Sequence, residues 1–269
     1  MTSRLDAAVA ARGLARSRTH AAQLIEAGLV SVDGVGIVKV STRVAGDATI
    51  EVADSDHYVS RAAHKLVAGL DAFSVDVSGR VALDMGASTG GFTQVLRERG
   101  AAPVLAVDVG HGQLSPVVAA DAAVINVEGF NVRHMTVDNL AESSGVDARP
   151  SVVVGDLSFI SLAYVLPAVA SVIDVDADVV LLIKPQFEVG RTGVREGLVT
   201  DPARRADAVA SVLWSAWDAG LGTFGFISSP IVGTHGNAEF VAHLRARSTD
   251  SDAGNPTEWL GTVNRLAGA

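Results

Sequence analysis

The sequence predicts an α/β protein, in which a doubly wound sheet of mainly parallel strands follows a small α+β domain. After residue 80, short β-branched runs alternate with helical stretches, which is typical of parallel strands and their crossover helices. The first part of the chain carries shorter elements around a tight turn signal. A length of 269 residues also exceeds one ordinary domain. We expect a first domain at residues 1–55, a linker at 56–62 and a second domain at 63–269.

The composition excludes several classes of protein. Hydrophobic residues make up 48% of the chain and charged residues 19%, which does not fit a disordered protein. The chain has no cysteine, so disulfides, cysteine zinc sites, iron–sulfur clusters and cysteine nucleophiles are excluded. A disulfide-free chain fits the reducing cytosol, and we expect a cytoplasmic protein. The charged N-terminus and the serines and proline within the uncharged stretch 157–173 predict neither a signal peptide nor a membrane span.

The charge is distributed unevenly along the chain. The formal net charge is −9, yet residues 1–46 hold six basic and three acidic groups. Residues 66–269 hold 13 basic and 23 acidic groups. A basic N-terminal region on an acidic body indicates a local nucleic-acid-binding surface, with ordinary surface charge as the alternative.

In the N-terminal region, two short helices are expected to precede a small sheet. Ser3 and Gly13 delimit the first predicted helix, and Ser17 and Gly28 delimit the second. Asp33-Gly34 is a strong hairpin signal. The strands are expected at residues 30–32, 37–40 and 50–52.

The motifs of this region, in this order, resemble the S4-type RNA-binding domain. They are Arg4-Leu5-Asp6, Gly13-Leu14-Ala15-Arg16-Ser17-Arg18, Ala22-Gln23-Leu24-Ile25, Gly28-Leu29-Val30, Val32-Asp33-Gly34 and Lys39. The expected RNA-binding residues are Arg4, Arg16, Arg18 and Lys39. Arg16 and Arg18 flank a predicted helix N-terminus, where guanidinium groups and backbone amides bind phosphate. Such contacts position RNA and do not read its sequence. The alternative is that these arginines are only solvated.

The second domain carries five apolar runs that predict buried parallel strands. These runs are residues 81–83, 104–107, 124–125, 152–154 and 179–183. Helices are expected near 91–99, 114–120, 158–172 and 201–219. In such a sheet, ligands bind at the carboxyl ends of the strands.

The first of these strand ends is a glycine-rich turn that begins with Asp84. It lacks the dinucleotide fingerprint, because Ser88 follows Gly86 at the second position. Asp108 ends the next strand, where a carboxylate can accept hydrogen bonds from two ribose hydroxyls. An acid, a glycine loop and a second acid fit a nucleoside without a pyrophosphate, which indicates S-adenosylmethionine; a tight turn without ligand is the alternative. The expected cofactor-binding residues are Asp84, Gly86, Ala87, Ser88, Thr89, Gly90, Gly91, Phe92, Asp108, Val109 and Asp156.

Two further strands are followed directly by charged residues at the same edge of the sheet. Asp156 and Lys184 each follow an apolar run directly, and a structural ion pair is the alternative to a catalytic role. Lys65 lies on the helix that leads into the sheet, and Glu239 begins a predicted last strand. Glu188 is a spare carboxylate, for which we expect a structural role.

The body resembles the FtsJ-like RNA ribose methyltransferases, whose catalytic set is Lys-Asp-Lys-Glu in chain order. Lys65, Asp156, Lys184 and Glu239 match that order. With its S4-like region, the whole chain resembles the TlyA (hemolysin A) family of rRNA 2′-O-methyltransferases. The resemblance implies a Rossmann-like, S-adenosylmethionine-dependent methyltransferase sheet that acts on cytidines of 16S and 23S rRNA within ribosomal subunits.

Two segments depart from the family pattern. Relatives carry Arg-x-Trp-Val in the interdomain linker, whereas this chain has Asp56-His57-Tyr58-Val59. This difference puts a linker role in cofactor binding in doubt. His111 replaces a common tyrosine, which is a milder change.

The chemistry explains why such a set is needed. A ribose 2′-hydroxyl is a weak nucleophile, so the enzyme must align oxygen, methyl carbon and sulfur and must manage one proton. We expect Lys184 to contact and deprotonate the hydroxyl in its neutral form, which burial or a second cation such as Lys65 favours. Asp156 and Glu239 would orient the lysines. No metal is expected, because the seven histidines are scattered without ligand spacing.

Three other functions stay open at this point. A membrane-lytic protein lacks support from a signal peptide, a spanning helix or a cationic amphipathic segment. A catalytically silent RNA-binding protein has no reason to keep all four charged residues. A nicotinamide oxidoreductase would be distinguished by the cofactor that it binds. The sequence does not predict the oligomeric state.

Overall fold

The computed structural model describes residues 2–15, 17–26, 28–52, 57–190, 197–233, 236–247 and 254–269. The N-terminal region packs two helices, α1 (Leu5–Ala11) and α2 (Arg18–Glu26), on five short strands. The strands are β1 (Thr2–Arg4), β2 (Val30–Val32), β3 (Val35–Gly36), β4 (Arg43–Ala45) and β5 (Ile50–Val52). Strands β3, β2 and β5 form one antiparallel sheet, and β1 pairs with β4 in a separate ribbon. Their apolar side chains form one core of their own.

Two local predictions for this region are wrong. Ser3 does not cap α1, because it lies in β1 and the helix begins only at Leu5. No strand forms at 37–40, because the strand after the turn, β3, already covers Val35–Gly36. Asp33 and Gly34 adopt left-handed φ angles of 50° and 78° and form a two-residue turn directly before it. The prediction for Ser17 is confirmed, because its Oγ accepts the backbone N–H of His20 at 3.0 Å.

The second domain contains a seven-stranded sheet with the order β11-β12-β10-β9-β6-β7-β8. Its strands are β6 (Ala82–Met85), β7 (Val104–Asp108), β8 (Val124–Glu128), β9 (Val152–Gly155), β10 (Asp178–Ile183), β11 (Leu221–Ser228) and β12 (Phe240–Ala246). Strands β6 to β10 are parallel, whereas β12 runs antiparallel between β10 and β11. The five predicted parallel strands are therefore confirmed, and β11 is an additional strand.

Helices cover both faces of this sheet. They are α3 (Ala63–Phe73), α4 (Gly91–Glu98), α5 (Pro116–Ala119), α6 (Val137–Ser144), α7 (Leu166–Val172), α8 (Pro185–Glu188), α9 (Pro202–Asp218) and α10 (Leu260–Ala267). The helix expected at 158–172 starts only at Leu166, where Pro167 occupies the first turn. Val179, Leu181 and Ile183 of β10 join one core, and Val180 and Leu182 join the other, so this strand is buried on both faces.

An ion cluster stabilises the end of the sheet away from the predicted site. Asp178 accepts hydrogen bonds from His243 at 2.8 Å and Arg80 at 2.7 Å, and Arg245 lies 3.2 Å away. Burial opposes ionisation of Asp178, but these partners outweigh it and hold its pKa at about 2. The cluster ties the start of β10 to β12. Within the described ranges, no helix is long and apolar enough to cross a bilayer.

Candidate active site

The turn between β6 and α4 forms one wall of a cavity of about 260 Å³. Gly86 has a φ of 78°, and a Cβ there would lie 3.1 Å from the Leu157 side chain. Gly90 has a φ of 95°, and a Cβ on it would lie 2.8 Å from the side chain of Leu114, which precedes α5. Of the expected cofactor-binding residues, those that line this cavity are Gly86, Ala87, Ser88, Thr89, Gly91, Phe92 and Asp156. Gly90 shapes the turn and does not line it.

A second cavity of about 320 Å³ adjoins the first and shares Gly86, Ser88, Asp156 and Ser158 with it. Its remaining lining combines one carboxylate and one amide with apolar side chains: Asp108, Gln113, Val107, Val109, Phe130, Val132, Leu157 and Phe159. The Asp108 carboxylate accepts the backbone N–H groups of Ser88 at 2.9 Å and Gly110 at 2.8 Å. These bonds leave lone pairs on both oxygens, so the carboxylate can still accept hydrogen bonds from a ribose.

Asp84 lies beneath the glycine turn and lines neither cavity. Its carboxyl group is fully buried, and Oδ2 accepts a hydrogen bond from Thr93 Oγ1 at 2.6 Å. Oδ1 has no partner among the described residues. Burial raises the pKa of Asp84 to about 7, and the nearby Asp156 charge adds to that rise. The structure therefore places Asp84 where it supports the turn from below.

The four predicted catalytic residues come together on the wall of the first cavity. Lys65 Nζ donates to Glu239 Oε2 at 2.5 Å, and both side chains are almost fully buried. Lys184 Nζ lies 2.6 Å from Asp156 Oδ1. That approach lacks the direction of a hydrogen bond, and Nζ instead donates to Ser158 Oγ at 2.9 Å. The set thus forms two lysine–carboxylate pairs with no net charge.

The segment before α3 forms another wall of the same cavity and rests on α4. Ser60, Arg61 and Ala62 line the cavity directly. Just before them, Gln94 Oε1 accepts the backbone N–H of Val59 at 2.9 Å, and Gln94 Nε2 donates to the backbone oxygen of His57 at 3.1 Å. The linker thus contacts the cofactor side of the site, although Asp56 lies outside the described residues.

Arg61, Ser158 and Phe159 line the cavities but were not among the predicted site residues. Phe159 is 92% exposed, has a left-handed φ of 65°, and its ring centre lies 5.2 Å from that of Phe187. The uncharged run from 157 onwards resembled a helix, so it gave no sign of a loop here. The available signal was an aromatic residue that follows a polar strand end closely.

Two of the four predicted RNA-binding side chains, Arg4 and Arg18, bind one buried carboxylate. Asp6 accepts hydrogen bonds from Arg4 Nε at 3.1 Å and from Arg18 Nε at 2.8 Å. The bond from Arg4 contributes most to holding the pKa of Asp6 at about 2. Arg43 lies directly across the β1–β4 ribbon from Arg4. It adds a positive charge to this surface, although it was not among the predicted RNA-binding residues. Lys39 is exposed in the turn before β4, and Arg16 lies outside the described residues.

Across the described ranges, no group of three or more histidine or acidic side chains could hold a metal ion. Glu188 lines neither cavity. It accepts hydrogen bonds from Ser161 and Leu162 instead.

Comparison with known proteins identifies both parts of the chain. The FtsJ-like methyltransferase family matches residues 58–246, and the S4 domain family matches residues 3–50. The domain boundaries expected at 55 and 62 stay predictions. The chain is 47% identical over 249 residues to the Mycobacterium tuberculosis protein named 16S/23S rRNA (cytidine-2′-O)-methyltransferase TlyA, covering 91% of both chains.

Two further relatives span nearly the whole chain. Hemolysin A of Brachyspira hyodysenteriae is 36% identical over 90% of this chain and 99% of its own. A solved structure from Streptococcus thermophilus, which carries the name hemolysin, has a TM-score of 0.76 and 34% identity over 99% of this chain and 96% of its own. The chain therefore belongs to the TlyA (hemolysin A) family, whose members join an N-terminal S4 domain to an FtsJ-like, S-adenosylmethionine-dependent methyltransferase domain.

Proposed function

We propose that this protein transfers the methyl group of S-adenosylmethionine to the ribose 2′-hydroxyl of cytidines in 16S and 23S rRNA. The observation that carries the proposal is the pair of lysine–carboxylate contacts on the wall of the cavity beside the glycine turn. The nucleotide and the two rRNAs come from the names of relatives in Mycobacterium tuberculosis and Campylobacter jejuni, the latter named for 23S rRNA alone. Such an enzyme would meet ribosomal subunits in the cytoplasm.

The two adjoining cavities fit S-adenosylmethionine. The second cavity offers Asp108 to ribose hydroxyls and Val109, Phe130 and Val132 to an adenine ring. The first offers the glycine turn, which leaves room for close approach to the backbone, and Asp156, whose Oδ1 has no hydrogen-bond partner among the described residues. The Asp156 carboxylate, whose Oδ1 lies 2.6 Å from Lys184 Nζ, can also accept a hydrogen bond from the ammonium group of the methionine portion.

Lys184 is the residue that we assign to the 2′-hydroxyl. When bound, S-adenosylmethionine would supply a methyl group that a positively charged sulfur activates. Nζ donates a hydrogen bond to Ser158 Oγ, and the Asp156 carboxylate lies beside it. Lys184 in its neutral form would accept the hydroxyl proton at Nζ while the hydroxyl oxygen takes that methyl group. Lys65, held by Glu239, keeps a second ammonium group at the same wall.

The arginines around Asp6 would bind the phosphate backbone of the RNA. Asp6 uses the Nε edge of Arg4 and of Arg18, so it leaves other N–H groups of both guanidinium groups for phosphate. Arg43 and Lys39 extend this positive surface along β4. The contacts would hold ribosomal RNA in place while its sequence and shape are read elsewhere.

The test is methyl transfer from radiolabelled S-adenosylmethionine to isolated ribosomal subunits. We expect label in rRNA with the wild type and at least a hundredfold loss with Lys184→Ala, because general base catalysis contributes on the order of 10²–10⁴ in rate. Lys184→Arg keeps the cation but cannot accept a proton, so we expect the same loss. Calorimetry with S-adenosylhomocysteine controls for an intact site. Unchanged methylation by Lys184→Ala would contradict the assignment, and label on protein alone would contradict the function.

A further inference from the structure

Glu188 is a half-buried carboxylate to which the proposed methyl transfer assigns no role. It ends α8, four residues after Lys184, and lines neither cavity. Its Oε2 accepts a hydrogen bond from Ser161 Oγ at 2.6 Å, and its Oε1 accepts the backbone N–H of Leu162 at 3.0 Å. Burial raises the pKa of Glu188, and the two hydrogen bonds oppose that rise. Both carboxylate oxygens of Glu188 therefore accept hydrogen bonds from one neighbouring segment.

That segment is residues 156–162, which we call the β9 loop. It carries Asp156, Ser158 and Phe159, and it meets α8 at three points in succession. Lys184 contacts Asp156 and Ser158 at the start of the loop. The Phe159 and Phe187 rings pack at 5.2 Å in the middle. The contacts of Glu188 fix the far end of the loop.

The backbone of the β9 loop needs such support. Phe159 has a φ of 65°, which is an outlier for an aromatic residue, and its ring is 92% exposed. Backbone strain of this kind persists only where the surrounding structure enforces it. Within the described chain, Lys184 and Glu188 supply the polar contacts that hold the two ends of the loop to α8.

We propose that Glu188 is a positioning residue for methyl transfer, which holds the β9 loop so that Ser158 aligns Lys184 and the Phe159 ring faces the RNA at the rim of the site. This inference rests on the proposed function, because it concerns the same reaction. Glu188 itself touches neither cofactor nor RNA in this account.

The hydrogen-bond pattern shows which substitutions are informative. Ser161 Oγ donates to Glu188 and also accepts the backbone N–H of Ala163 at 3.2 Å. Glu188→Gln keeps one oxygen for Leu162, and its amide can donate to Ser161 Oγ, so the loop stays attached. Glu188→Ala removes both contacts. Ser161→Ala removes the shorter one by a smaller change. Glu142→Ala, an exposed glutamate on α6, is the matched surface control.

The experiment measures kcat and KM for rRNA with each variant, together with the Kd of S-adenosylhomocysteine. We expect Glu188→Ala to lower kcat at least tenfold and Ser161→Ala about threefold, with KM for RNA and the Kd changed less than twofold. Glu188→Gln and Glu142→Ala should keep wild-type kcat. A purely structural carboxylate would change kcat, KM and Kd together or none of them.

The outcomes separate this inference from the proposed function. If the wild type does not methylate rRNA, the function fails. If it does and Glu188→Ala keeps the wild-type kcat, only the inference fails. The inference is also overturned if Glu188→Gln loses kcat as Glu188→Ala does. Should Glu188→Ala not fold, a wild-type kcat for folded Ser161→Ala overturns it.

Discussion

The buried pair of Lys65 and Glu239 allows structural and catalytic roles to be separated. Their side chains are 6% and 2% exposed, and the charged atoms lie 2.5 Å apart. Lys65→Met keeps an unbranched side chain one atom shorter and leaves Glu239 as an unpaired buried charge. Breaking a buried ion pair in this way costs about 3–5 kcal/mol in the free energy of unfolding. Adding Glu239→Gln removes that charge, and we expect the double variant to regain at least about 2 kcal/mol.

The assay is urea unfolding of the methyltransferase domain, followed by far-UV circular dichroism, beside methyl transfer to ribosomal subunits. Both variants should lose at least about a hundredfold in methylation, although only the single variant is strongly destabilised. Equal stability loss in the single and double variants would refute the reasoning about an unpaired charge. Methylation by the stable double variant would show that Lys65 and Glu239 are not needed for the reaction.

Three further changes test other parts of the structure. Asp6→Asn should weaken RNA binding and destabilise the N-terminal domain by about 1.5–3 kcal/mol. Because the folded pKa of Asp6 is about 2, its contribution to the folding stability of the wild type is present above about pH 4 and is lost as the pH falls towards 2. Unfolding of the N-terminal domain, measured over this pH range, would detect the loss. Asp84 is protonated in the fold up to about pH 7, so cofactor-free stability should fall between about pH 4 and 7 by up to about 1.4 kcal/mol per unit. Asp84→Asn should flatten this profile, and an unchanged slope would contradict it. Gln94→Ala should raise the Kd of S-adenosylhomocysteine at least fivefold, whereas Arg99→Ala, which removes a contact with Asp71, should not.

The central strands of the sheet could be predicted because each is an uninterrupted apolar run. Strand β11 could not, since its sequence contains Gly222 and Gly225 and its pairing with β12 shifts register between Thr223 and Gly225. The predicted helix at 158–172 started too early, since the observed helix begins at Leu166. An uncharged run gives no stop signal, and no residue type in it marks the left-handed backbone of Phe159.

The sequence grouped four charged residues into one site but did not predict how they pair. The order of Lys65, Asp156, Lys184 and Glu239 along the chain matched a family pattern, but their pairing depends on which strands are neighbours. Strand β12, which follows Glu239, inserts beside β10, and this brings Glu239 to the edge where Lys184 ends β10. The partner of Glu239 is nevertheless Lys65 on α3, a choice that no spacing in the sequence encodes.

The linker shows how side-chain differences can leave a contact intact. Its departures from the family pattern fall on side chains, yet Gln94 binds the backbone N–H of Val59 and the backbone oxygen of His57. Backbone groups are present whatever residue occupies a position, so these contacts at 57 and 59 do not need the arginine and tryptophan that the family pattern has at 56 and 58. The next residues, Ser60 and Arg61, line the first cavity, and Gly91 at the start of α4 leaves space for Ser60. One helix, α4, therefore holds both residues 57–59 and the glycine turn, whereas Asp56 lies outside the described residues.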